Sequence, residues 1–245
     1  MRIALASMPV INRDIAFNLS TITACIKECS QKADVLVFGE SVLQGFDCLC
    51  WNYEEDRKTA IELSDELITK ICEAAKENEL AVSLGFIERV GEALYSSQLF
   101  VGKDGRIINV FHRVSVGWKE YDKTDEHYLE GDKLESFQYE GISFAIGLCG
   151  DLWTDGRPKE MKKLNADIVL WPVWCDYNTD EWNSSIKYEY AEQAALCGDN
   201  VLLVNPYCID KAAEDVAAGG AVYFRKGVID KEISSGRSGY LFVEI

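Results

Sequence analysis

Short, wholly apolar runs that alternate with stretches of helical period constrain this chain more than any other feature. Ile15, Leu19, Ile22, Ile26 and Cys29 recur at alternating steps of four and three. That period gathers them on one helix face and leaves Lys27, Glu28 and Lys32 toward solvent. Val35-Leu36-Val37-Phe38 follows without a polar residue, as a strand covered on both faces requires. A second stripe, Leu63, Leu67, Ile71 and Ala75, predicts another helix, and Leu80 to Ile87 returns to strand. The chain opens with a strand over Arg2 to Ala6. Leu94 to Val101 and Arg106 to Val110 flank a Lys-Asp-Gly turn, and Phe137 to Tyr139 and Ile142 to Leu148 flank Glu140-Gly141, so both read as hairpins. Asp167 to Val173 and Asn200 to Asn205 read as buried strands around a helical stretch from about Asn183 to Leu196. Two more strands are expected near Ala221 to Phe224 and Tyr240 to Ile245. Helices alternating with strands, with hairpins between, predict an α/β protein with a mixed sheet, most simply a two-sheet sandwich. Strand order does not follow from periodicity.

Composition narrows the function classes. A net charge of −16 leaves no basic surface for phosphate backbones or anionic lipid, so neither nucleic acid nor membrane is an expected partner. The apolar start MRIALASMPV is too short for a signal-peptide core, and no later run could span a bilayer. Nine cysteines are an odd number for a disulfide framework in a chain of this size, which fits a reducing cytoplasm. No linker, repeat or low-complexity tract breaks the sequence, so residues 1–245 are expected to form one domain.

Three strand ends carry residues that an apolar run does not need. Phe38-Gly39-Glu40 puts a carboxylate after one strand, and Leu148-Cys149-Gly150-Asp151 puts a thiol after another. Between them, the strand ending near Val110 empties into His112-Arg113-Val114-Ser115. Ligand sites in open α/β sheets gather at the carboxyl ends of strands, so Glu40 and Cys149 are expected to share a cleft. A thiol with a pKa of ~8.5 needs a base or a cation to become a nucleophile at neutral pH. A partly buried glutamate can take its proton and pass it to a leaving amine. Gly150 lets the backbone approach, so its N–H can help hold an oxyanion. Composition alone would leave Cys149 a small buried hydrophobe and Glu40 a strand terminator.

The order and spacing of the motifs point further. Ala33 to Glu40, Gly85-Phe86-Ile87-Glu88, Leu94-Tyr95-Ser96-Ser97 with Asp104-Gly105, Gly147 to Leu152, Asn165 to Pro172, Val201 to Asn205 and Gly219-Gly220-Ala221 together resemble the nitrilase superfamily of carbon–nitrogen hydrolases. The resemblance covers nearly the whole chain. It implies a two-sheet α-β-β-α sandwich, a glutamate base at Glu40, a cysteine nucleophile at Cys149, a homodimer or higher homo-oligomer, and no metal or organic cofactor. It also implies hydrolysis of a small amide-like molecule through a thioester, with amidase chemistry as the default over carbamoyl compounds or nitriles.

One departure stands out. The lysine that this family places after the Phe111-His112-Arg113 stretch is Val114 here. Lys119 from a rearranged loop is the favoured replacement, with Lys123 on the same segment as a second candidate. The remaining alternative is an inactive relative that binds a ligand or partner in the same cleft. The family's second glutamate falls in Thr124 to Gly131, where Glu126 is chosen while Asp125 and Glu120 stay open. Trp174, in a loop after a strand, is expected to line the substrate pocket with Gly150. A Cys149–His112 dyad is set aside. So is metal binding at Cys48-Leu49-Cys50 or Cys25/Cys29, because no second ligand pair accompanies them.

Overall fold

In chain order, the computed structural model, which describes residues 1–210 and 212–245, has strands β1 (Arg2–Ser7), β2 (Pro9–Val10), β3 (Val35–Phe38), β4 (Ala81–Val90), β5 (Ala93–Val101), β6 (Ile107–His112) and β7 (Ser136–Tyr139). They are followed by β8 (Ile142–Ile146), β9 (Ile168–Pro172), β10 (Asn200–Val204), β11 (Tyr207–Cys208), β12 (Ala221–Arg225), β13 (Val228–Ile233) and β14 (Gly239–Glu244). Two six-stranded mixed sheets result, one in the order β14-β1-β3-β4-β5-β6 and the other β13-β12-β10-β9-β8-β7. Each has a parallel centre, β1-β3-β4 in one and β8-β9-β10 in the other, and antiparallel flanks. β2 and β11 form a short parallel pair of their own.

Side-chain alternation explains the layers. In β1 and β3, Ile3, Leu5, Val35 and Val37 face the core shared with the second sheet, while Ala4, Ala6, Leu36 and Phe38 face the opposite way. That outer face is covered by α1 (Ile15–Cys29) and by α3 (Glu66–Glu77), preceded by the short α2 (Tyr53–Thr59); α1 contributes Ile22, Cys25, Ile26 and Cys29, and α3 contributes Ile68, Ile71 and Ala75. The second sheet packs against α4 (Arg157–Lys163) and, beyond the short exposed α5 (Thr179–Glu181), against the π-turn at Trp182–Ile186 and α6 (Lys187–Ala195). The architecture is therefore the expected α-β-β-α sandwich.

The differences from expectation have local causes. Leu63 lies outside α3 because Asp65 caps the helix, accepting a hydrogen bond from the Leu67 N–H. β13 carries Asp230, Lys231 and Glu232, so it has little apolar signal; as the outer strand of its sheet it is mostly exposed and needs none. Among the described residues, no helix is long and apolar enough to cross a membrane.

Candidate active site

Glu40 sits two residues beyond β3 and is fully buried. Its Oε1 accepts hydrogen bonds from Ser96 Oγ at 2.8 Å and from Arg113 Nη1 at 2.9 Å, while its buried Oε2 has no partner among the described residues. β3 can hand over to this residue only because glycines clear the way. A Cβ on Gly85 of β4 would stand 2.4 Å from Ser41 N and 2.7 Å from Glu40 Cα. Both contacts are backbone, so neither can yield by a side-chain rotation. Gly85→Ala should therefore cost about 1–3 kcal/mol, read as a lower urea midpoint, and displace the carboxylate. A midpoint within error of the parent would show that the packing is slacker than these distances state.

Cys149 follows β8 and opens a short helical turn over Cys149–Trp153. Its φ of +42° is a left-handed conformation that a residue with a Cβ adopts only when its surroundings hold it there. The holding groups are visible. The Trp171 indole N–H donates to the Cys149 carbonyl at 2.9 Å, and Asp151 accepts from the Leu148 N–H at 2.9 Å. The other Asp151 oxygen accepts from the backbone N–H groups of Val114 at 3.0 Å and Ser115 at 2.8 Å. One carboxylate thus ties the loop after β6 to the loop after β8. Burial pushes its pKa up to about 6, while Arg113 and the N–H donors pull the other way.

This tie brings Arg113 to the cysteine. Its Nε donates to Ser115 Oγ at 2.9 Å and its Nη1 to Glu40, while Nη2 makes no hydrogen bond to the described residues. Nη2 lies beside Gly150, where a Cβ would approach it to 2.8 Å, so a bare backbone is what lets the guanidinium in. Burial opposes the charge on Arg113, but Glu40, Cys149 and Asp151 outweigh it and raise its pKa. All nine cysteines are free, and Cys149 alone among them has its pKa lowered. The Cys175 thiol beside it contributes most and Arg113 adds to it, against burial and the negative charge of Glu40. Cys149 Sγ also donates to the Trp174 carbonyl at 3.7 Å.

Several expected site residues lie elsewhere. Lys119 is not brought to the glutamate–cysteine pair; its Nζ pairs with Glu130 at 2.8 Å and donates to the Tyr128 carbonyl. It lines a cavity of ≈ 540 Å³ together with Phe46, Trp118, Lys123 and Asp215. The cavity touches the site at two points: Gly117 packs beside Arg113, and Phe46 stacks on Trp174 at 5.8 Å. Trp174 thus adjoins the site through its carbonyl, while its indole N–H is taken by the Asp215 carbonyl at 2.9 Å. Glu126 is exposed on the surface, as are Asp125, which bonds His127, and Glu120. His112 turns away, bonding buried Glu88 at 2.9 Å and stacking on Tyr95.

Arg113 is the cation that the sequence reading passed over. The signal was strand parity: Phe111 faces the core between the sheets, so Arg113, two residues on, continues that face while His112 points to the other. The same parity separates Ser96 with Glu40 from Ser97 with Glu88.

The carbon–nitrogen hydrolase family pattern matches residues 2–194. An (R)-stereoselective amidase from a Pseudomonas species is 25% identical over 69% of this chain and 59% of its own length. An aliphatic nitrilase from Rhodococcus rhodochrous is 26% identical over 76% of this chain and 52% of its own. The chain thus spans only part of the length of these relatives. Among solved structures, a mutant of the amidase from Nesterenkonia sp. AN1, carrying the acetamide moiety of fluoroacetamide on its active-site cysteine, superposes with a TM-score of 0.78 at 16% identity. That match covers 100% of this chain and 90% of the other.

Proposed function

This chain belongs to the carbon–nitrogen hydrolase family, and on that premise we propose that it hydrolyses the amide bond of a small molecule through a thioester on Cys149. The observation that carries the reading is the free Oε2 of Glu40. It is a buried carboxylate oxygen with no donor among the described residues, on a group whose charge is felt by the cysteine. Such an oxygen suits a proton acceptor.

In this mechanism Glu40 takes the Cys149 proton, and the thiolate adds to the substrate carbonyl carbon. The oxyanion that forms is held by Arg113 Nη2 and by the Gly150 backbone N–H. Glu40 returns the proton to the nitrogen, the C–N bond breaks, and ammonia or an amine leaves a thioester. Water, losing a proton to Glu40, attacks the thioester; collapse then expels the cysteine thiolate, which takes the proton back from Glu40, and the acid is released. Arg113 stays protonated throughout, because a guanidinium does not give up its proton in a protein. Every proton transfer therefore falls to Glu40.

A panel of small primary amides, followed by ammonia release and by mass spectrometry of the Cys149 peptide, tests the reading. The expected result is ammonia from at least one amide and an acyl adduct confined to Cys149. An unmodified Cys149 with every amide intact would make the chain a ligand-binding relative of these enzymes instead.

A further inference from the structure

Asp56, on α2, is almost wholly buried, yet the chemistry above gives it no task. Its Oδ1 accepts from the Cys50 N–H at 2.8 Å and from the Cys50 thiol at 3.2 Å, and its Oδ2 accepts from the Trp51 N–H at 2.9 Å. These bonds fold the chain back at Trp51, whose φ of +63° a residue with a Cβ adopts only where it is held. A fourth donor comes from far along the chain: the Tyr128 hydroxyl reaches Oδ2 at 2.7 Å. Burial and the charge of Asp56 raise the Tyr128 pKa, so the phenol keeps its proton and donates.

Tyr128 in turn organises the loop after β6. Its neighbours are pinned to β5, where the Leu94 N–H donates to the His127 carbonyl at 2.7 Å and the Leu129 N–H to the Leu94 carbonyl at 2.9 Å. Its ring packs against Trp51 at 6.1 Å and Trp118 at 6.3 Å, and its carbonyl holds Lys119 Nζ. Trp51, Trp118 and Lys119 all line the cavity of ≈ 540 Å³ that adjoins the cysteine site. One phenol–carboxylate bond therefore joins two walls of that cavity, the stretch before α2 and the loop after β6. The space suits a molecule well beyond acetamide in size, and the partly exposed rings of Phe46 and Trp51 give it flat apolar faces.

We propose that Asp56 and Tyr128 are positioning residues for substrate choice: their hydrogen bond sets the spacing of the cavity walls, so that the site favours amides bearing an aromatic ring, which the cavity seats while Cys149 meets the carbonyl carbon. The substrate class rests on the amide reading, but the device can be tested without turnover. Cys149 is alkylated in separate reactions by iodoacetamide and by its N-phenethyl derivative, and mass spectrometry of the Cys149 peptide gives the two rates. The parent should react about tenfold faster with the larger reagent. Tyr128→Phe, which deletes one bond and keeps the ring, should abolish most of that preference. Asp56→Asn should do the same, because an amide offers a single acceptor oxygen where four donors converge. With 3-phenylpropionamide as substrate, both variants should raise KM by about tenfold while kcat changes by less than about twofold. A preference that survives in both variants while their urea midpoints fall would make the pair purely structural and overturn the proposal. So would a parent that reacts no faster with the larger reagent. A preference lost in both variants of a protein that cleaves no amide would sink the hydrolase reading and leave this one standing.

Discussion

Replacing Cys149 by alanine should reduce amide hydrolysis by at least about a thousandfold and leave the folding midpoint within about 0.5 kcal/mol of the parent. The two halves of that expectation come from different places. Loss of activity follows because the proposed nucleophile is covalent, and among the described residues no other thiol is both lowered in pKa and placed beside an unpartnered carboxylate oxygen. Retention of stability follows because Cys149 only packs partly against the core and its φ of +42° is held by backbone partners rather than by its sulfur. Hydrolysis within tenfold of the parent would remove Cys149 from the mechanism altogether.

Arg113 should be felt in both activity and stability. Glu40 and Arg113 are an ion pair with side-chain exposures of 0% and 3%, so removing the cation strands a charge in the interior. Arg113→Ala should destabilise the fold by about 3–5 kcal/mol, measured by urea unfolding near neutral pH. Activity should fall by roughly a hundredfold or more, through loss of the oxyanion donor and of the charge that favours the thiolate. A variant as stable as the parent would mean that water, not Arg113, satisfies Glu40. Arg113→Lys keeps the charge but loses the forked donors that reach Glu40 and Ser115 together, so it should recover stability only in part.

The positions of Glu40 and Cys149 were legible because each follows a short apolar run, and a parallel strand covered on both faces announces itself by composition alone. The faces of α1 and the buried part of α3 were legible for the same reason, since a 3.6-residue period survives whatever it packs against. β13 and α2 were not, because little of either is buried.

What the chain order of residues determined by itself was the placing of Glu40 and Cys149 at the ends of buried strands and the layered sheets that carry them. Which cation meets Glu40 was decided in three dimensions. Lys119 is near in sequence but is drawn off by Glu130 and the Tyr128 carbonyl, whereas Arg113 is delivered by the parity of β6 and the backbone bonds that Asp151 accepts. A one-residue step along a strand reverses the face of a side chain, and a buried charge stays only where a partner meets it. Selection among neighbouring cations therefore belongs to register and packing, which local sequence patterns do not encode.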